Sequence, residues 1–311
     1  MGLRVEGCPE VCPSRVARAT GARMMRVREL ELEAPDGPRR ALLRTPDGGG
    51  AGALPTIILL HGAGGTAKLA LGNTHWAGLA DREGILLAYP EGTRRDAASP
   101  PMFLQNPQAW NDGSGRGHTA RTGVDDVGFI GALAADLVRH HGADPARIYL
   151  AGFSNGASMA FRAGAELAGR VAAIGPVAGH CWVAPPPSTR PVPALMIFGG
   201  LDPLNPPEGG EVTTPWGSAE YHPPVLESFD RWRAFNRCVG EPVATTTDGV
   251  RELRATGCAP GGEVRAVIVE DLGHHWPGGA RLLPPWIAGP ASIRVDGAGL
   301  LWDFFRTHRL G

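Results

Sequence analysis

The chain has 311 residues, 43% of them apolar, and 30 basic against 31 acidic side chains give a formal net charge of −1. This length suits one large α/β domain or two ordinary ones with a sizeable core. Even charge with no basic run among aromatics argues against a nucleic-acid partner, and no apolar run approaches a membrane span.

Residues 1–24 carry Arg4, Arg15, Arg18 and Arg23 but no apolar h-region, so they do not read as a signal peptide. They are expected to be disordered or a spurious extension, with Met24-Met25 offering a truer start. Met25 to Glu33 alternates as a half-exposed strand does, and Arg39 to Thr45 reads as its partner across Pro35-Asp36-Gly37-Pro38. Thr56 to Leu60 is a continuous apolar run, the pattern of a buried parallel strand, and it ends in His61-Gly62-Ala63-Gly64-Gly65. A helix around Trp76 to Glu83 and a strand at Gly84 to Tyr89 follow. Residues 91 to 123 form a long polar loop holding Trp110-Asn111-Asp112-Gly113, and loops of that length are usually functional.

Val124 to His141 reads as a helix with Asp125 and Asp126 in its first turn. Strands are expected at 147 to 151, Val171 to Val177, Ala194 to Phe198 and Val264 to Val269. Helices are expected after Gly156, at Pro224 to Asn236 and at Gly299 to His308. Alternating strands and helices, without an internal repeat or a composition break, predict an α/β fold: one domain over residues 25–311, with a mostly parallel sheet and helices on both faces. In such sheets chemistry lies beyond the carboxyl ends of the strands.

Gly152-Phe153-Ser154-Asn155-Gly156 sits at one of those ends, between an apolar strand and a helix-favouring segment. That context turns a common five-residue pattern into a nucleophile elbow, with Ser154 exposed at a strained turn and helix N–H groups beside it. A serine hydroxyl needs a base, and the base needs a carboxylate to orient it. The acid candidates at later strand ends are Asp202 and, more weakly, Asp271. Among His222, His274, His275 and His308, the pair following the strand at 264 to 269 fits best. His274 is the choice and His275 the runner-up. The oxyanion formed by ester attack needs two N–H donors: Asn155, and Ala63 from the glycine-rich loop, with Gly62 the alternative. That loop lacks the Lys-Ser/Thr pair of a phosphate cradle. Trp276 and Trp110 are candidates for an aromatic wall against the substrate.

Cys8 and Cys12 have no partners at metal-binding spacing, so no metal site is expected. Cys238 and Cys258 frame a segment rich in Thr, Gly and Arg, and a disulfide between them is expected. It would point to an oxidising compartment.

Taken in order, Leu60 to Gly65, Trp110-Asn111, Gly123 to Phe129, Gly152 to Gly156, Asp202-Pro203 and Gly273-His274-His275-Trp276-Pro277-Gly278 resemble the polyhydroxybutyrate depolymerase and feruloyl esterase family. This is the carbohydrate-esterase branch of the α/β-hydrolases, and the resemblance runs from about residue 25 to the end. It implies the α/β-hydrolase fold and a serine ester hydrolase needing no cofactor. The triad implied is Ser154, Asp202 and His274, since the family usually reads His-Thr-Trp-Pro-Gly at the last motif. The substrate implied is a hydroxyalkanoate ester or oligomer, with a feruloyl or acetylxylan ester as the alternative. The resemblance also implies the Cys238–Cys258 bridge and secretion. The chain departs from the family in having no cysteine near Trp110-Asn111 and alanine, not cysteine, at position 63. A peptidase or acyltransferase on the same scaffold, or a silent polyester- or glycan-binding module, are the rival readings. Oligomeric state is not legible.

Overall fold

The computed structural model describes residues 26–46, 52–184 and 190–311, so the expectation for residues 1–24 falls outside the described part. The first elements are β1 (Arg26–Ala34), β2 (Gly37–Thr45), β3 (Leu54–Leu60), α1 (Ala67–Asn73), α2 (Trp76–Glu83) and β4 (Leu86–Pro90). The short β5 (Thr93–Arg94), β6 (Gln108–Ala109) and α3 (Gly117–Thr122) lie in the long polar loop. The middle of the chain holds α4 (Asp126–His140), β7 (Ala143–Phe153), α5 (Asn155–Glu166), β8 (Ala173–Val177) and β9 (Ala194–Gly199). Then come β10 (Gly210–Thr213), β11 (Ala219–His222), α6 (Leu226–Phe235), β12 (Gly240–Thr247), β13 (Val250–Thr256), β14 (Val264–Val269), α7 (Pro285–Ala288) and α8 (Gly297–Phe305).

Ten strands form one sheet in the order β1-β2-β4-β3-β7-β8-β9-β14-β13-β12. The six central strands, β4 to β14 in that order, pair in parallel. The pairings at both edges are antiparallel. The central strands are buried on both faces, which is why they read as unbroken apolar runs. Ile58 and Leu60 of β3 and Ile148 and Leu150 of β7 pack with Phe129, Leu133, Phe161 and Trp232 from α4, α5 and α6. Their neighbours Ile57, Leu59, Tyr149 and Ala151 face the other way, with Trp76, Leu79, Leu301 and Phe305 from α2 and α8. Period-two alternation thus feeds two cores from one set of strands.

The β12–β13 hairpin is absent from the sequence-based expectation. Most residues of β12 are exposed, so neither strand shows an apolar stripe. The usable signal was Asp248-Gly249, where φ values of 49° and 73° make a two-residue turn between Thr247 and Val250. The expected disulfide joins Cys238 to Cys258 across the open end of this hairpin. It closes a loop of 20 residues. Removing it in Cys238→Ala/Cys258→Ala is expected to lower unfolding stability by about 3 kcal/mol. Urea denaturation with and without the bridge measures this, and equal midpoints would show that the bridge does not constrain the unfolded chain.

Candidate active site

β7 enters α5 through Ser154, at φ 55° and ψ −123°. A positive φ at a residue with a side chain costs on the order of 1–3 kcal/mol and persists only where the surroundings fix it. Here the Ser154 N–H donates to the Val177 carbonyl at 2.9 Å, and the Ser154 carbonyl accepts from Ala157 and Ser158 at 2.9 and 3.0 Å. A Cβ on Gly152 would collide with the Gly156 carbonyl, and one on Gly156 with the Leu60 carbonyl. Both glycines of the motif are therefore demanded by close backbone approach.

The Ser154 hydroxyl meets His274 Nε2 at 2.9 Å. On the other side of the ring, His274 Nδ1 stands 2.8 Å from Asp202 Oδ2. A carboxylate can only accept, so Nδ1 carries the proton and Nε2 is left to accept from the serine. Asp202 is 3% exposed. Its other oxygen accepts the N–H groups of Leu204 and Asn205, both at 2.8 Å, which fixes the carboxylate at the turn after β9. The alternatives lie elsewhere. His275 turns away to the Gly289 carbonyl at 3.1 Å, and Asp271 is a surface partner of Arg294. His308 sits 3.3 Å from Glu263.

The loop after β3 is held from beneath. His61 is buried, and burial pulls its pKa below the ordinary value, so the ring is neutral. Its Nε2 accepts from the Gly92 N–H at 2.9 Å, leaving Nδ1 to donate to the Gly62 carbonyl at 2.8 Å. Gly64 and Gly65 N–H groups are used by Gln108 and Gly62 carbonyls at 2.7 and 2.9 Å. The Ala63 N–H has no hydrogen bond among the described residues. Ala63 lines the same cleft as Ser154 and Asn155, and Gly62 does not.

The loop at Trp110 has no cysteine to brace it, and hydrogen bonds take that role. The Asn155 side chain accepts from the Trp110 N–H at 2.8 Å and donates to the Trp110 carbonyl and Asp112. Asn111 donates its N–H to Asp126 at 2.7 Å, and its carbonyl accepts from Arg162 at 2.7 Å. Asp126 is fully buried and paired with Arg39 at 2.7 Å. Burial raises its pKa and the arginine opposes that rise. Sequence reasoning placed Asp126 as a helix-dipole residue within the Gly123 to Phe129 motif, with no part in bracing this loop. Its packing against Asn111, 15 positions earlier, gave no local signal.

A cleft of about 590 Å³ opens over Ser154. Trp110 lines it, although its indole N–H is already given to the His61 carbonyl at 2.8 Å. Trp276, expected at the substrate, does not line the cleft and belongs to the core beneath α8. The chain turns at Pro277-Gly278, and its ring packs over Gly279 and Gly297. Lining residues that sequence reasoning missed include Arg116, His180, Trp182 and Asn205. His180 and Trp182 lie just past the carboxyl end of β8, a position that could have flagged them.

This sheet, with a serine at a strand–helix elbow over its carboxyl ends, is the α/β-hydrolase fold. The acetyl xylan esterase from Aspergillus awamori superposes with a TM-score of 0.57 at 14% identity, covering 80% of this chain and 94% of that one. At that identity the likeness speaks for the fold. In sequence, the profile of the family described as "Esterase PHB depolymerase" matches residues 40–184. The protein named "Putative esterase NocK" of Nocardia uniformis subsp. tsuyamanensis is 31% identical over 269 residues, 80% of this chain and 73% of its own. "Feruloyl esterase B" of Piromyces equi is 30% identical over 247 residues, 76% of this chain but only 42% of that protein. The chain belongs to the esterase PHB depolymerase family and is a carboxylic ester hydrolase.

Proposed function

We propose that the chain hydrolyses esters through an acyl-enzyme on Ser154, with His274 as the base and Asp202 as its orienting acid. The observation that carries this is the single imidazole bonded at once to the serine oxygen and a buried carboxylate. Ser154 Oγ attacks the ester carbonyl carbon as its proton passes to His274 Nε2. Asp202 stabilises the imidazolium that results. The oxyanion is received by the N–H groups of Asn155 and Ala63, each worth about 3 kcal/mol in the barrier. The tetrahedral adduct then collapses, the alcohol leaves with the proton from His274, and a water molecule repeats the sequence on the acyl group. The scheme needs neither a metal nor an organic cofactor.

The substrate class proposed is a hydroxyalkanoate ester or oligomer, in keeping with the family description. A feruloyl or acetylxylan ester is the second reading, favoured by the named activity of the Piromyces equi relative and by Trp182 and Trp216 in the cleft wall. Rates on hydroxybutyrate oligomers, methyl ferulate and acetylated xylan, measured side by side, decide between them. The proposal expects the oligomers to give the highest kcat/KM. A higher value on methyl ferulate or acetylated xylan would replace it with the second reading, and hydrolysis of none would sink both.

A further inference from the structure

Three residues lining the cleft carry buried polar side-chain atoms with no hydrogen-bond partner among the described residues: Thr119, His180 and Trp182. His180 is the sharpest case. It is 2% exposed, and neither of its ring nitrogens has a hydrogen-bond partner of ordinary geometry among the described residues. The Asn205 side chain stands beside the ring and favours its protonated form, but its NH2 donates to the Ala178 carbonyl at 2.6 Å and its oxygen meets His222 at 3.0 Å. The backbone at this point is tightly set. The His180 N–H donates to Ser158 Oγ in α5 at 3.0 Å, and a Cβ on Gly179 would clash with the Ser154 carbonyl. The backbone that carries the ring is thus held against the helix that begins at the nucleophile.

Its neighbours form one polar-aromatic wall. Trp182 and His222 flank the His180 ring at centroid distances of 5.0 and 5.2 Å. The Arg116 guanidinium lies over Trp182 at 4.2 Å and binds Glu220 at 2.6 Å and His222 at 2.7 Å. His222 in turn meets Asn205 at 3.0 Å. Arg116 is therefore already neutralised by Glu220, so this wall presents little net charge. Arg95 and Arg121 also line the cleft but are exposed, where solvent screens them. Burial, with His222 and Arg116 close by, holds His180 far below the ordinary histidine pKa, at about 3. At working pH the ring is neutral, with one N–H to donate and one bare nitrogen to accept.

That pairing selects a ligand. An ester carbonyl or a carboxylate only accepts, so either would leave the bare nitrogen without a donor. A hydroxyl supplies one, and further oxygen atoms can take the N–H groups of His180 and Trp182. We propose that His180 and Trp182 form a specificity site for a free hydroxyl group on the substrate, close to the scissile ester. The inference rests on the proposed Ser154 chemistry and narrows its substrate. The hydroxyl can come from the acyl side, as in a hydroxyacyl chain end, or from the alcohol side, as in a polyol ester.

Two matched pairs separate these sources: p-nitrophenyl 3-hydroxybutyrate against p-nitrophenyl butyrate, and glycerol monobutyrate against propyl butyrate. The expected result is a preference in kcat/KM of about tenfold or more for the hydroxyl-bearing member of one pair, the size of one well-placed hydrogen bond. In His180→Phe the ratio for that pair should fall to near one, whatever the absolute rates do. His180→Asn, which keeps a donor and an acceptor, should recover part of it. If His180→Phe does not fold, Trp182→Phe, which removes one N–H, should lower the same ratio severalfold. The same pairs titrated by calorimetry into Ser154→Ala should show the same preference in binding. This arm stands even if the wild-type chain hydrolyses none of the esters, a result that would defeat the proposed chemistry alone. A wild-type ratio near one in both pairs, or a ratio unchanged by both His180→Phe and Trp182→Phe, overturns the hydroxyl site.

Discussion

Ser154→Ala is expected to lower kcat on p-nitrophenyl butyrate by about 10⁶-fold, down to the residual rate that binding and the two N–H donors sustain. The substitution deletes only the oxygen that would form the acyl-enzyme. That oxygen bonds His274 Nε2 and no other described group. The strained turn is held by backbone bonds to Val177, Ala157 and Ser158, which alanine keeps. Alanine also tolerates this φ no worse than serine does. The thermal midpoint should therefore stay within a few degrees of wild type while turnover disappears. Loss of turnover accompanied by unfolding would assign Ser154 a structural role instead, and retained turnover would remove it from the chemistry.

Asp202→Asn is expected to cost about 10⁴-fold in kcat, with a much smaller change in KM. The reason is a tautomer. The carboxylate accepts from His274 Nδ1 at 2.8 Å, which leaves Nε2 bare toward the serine. An amide NH2 in the same place would donate to Nδ1 and move the ring proton to Nε2, where it cannot take the serine proton. The turn itself should survive, because the amide oxygen can still accept from the Leu204 and Asn205 N–H groups. Steady-state kinetics on p-nitrophenyl butyrate measure both parameters. A fall of less than tenfold would show that the carboxylate does not orient the base.

The elements that position this site were largely legible, because both-face burial writes itself as apolar runs. β3, β7 and β9 each end in a chemically pointed residue or loop, and Ser154 could be picked from its flanking glycines and its strand–helix context. Choosing Asp202 over Asp271, or His274 over His275, needed chain order and a family resemblance. In space the difference is plain, since Asp271 pairs with Arg294 at the surface and His275 faces Gly289. What stayed hidden depends on long-range contact. The Asn155–Trp110–Asp112 brace spans more than 40 positions. Trp276 was expected in the cleft because it lies two residues from His274, but the turn that follows buries its ring. His180 passed unnoticed although it lies just past the carboxyl end of β8, because a buried ring without hydrogen-bond partners among the described residues is visible only in space.

The central claim is that Ser154 is a nucleophile made reactive by His274. Incubation with a fluorophosphonate at neutral pH, followed by mass spectrometry of the digested protein, tests it directly. The account predicts one phosphonyl adduct, on the peptide carrying Ser154, formed rapidly by the wild-type chain and far more slowly by His274→Ala. An unmodified Ser154, or an adduct formed just as fast without the histidine, would contradict it.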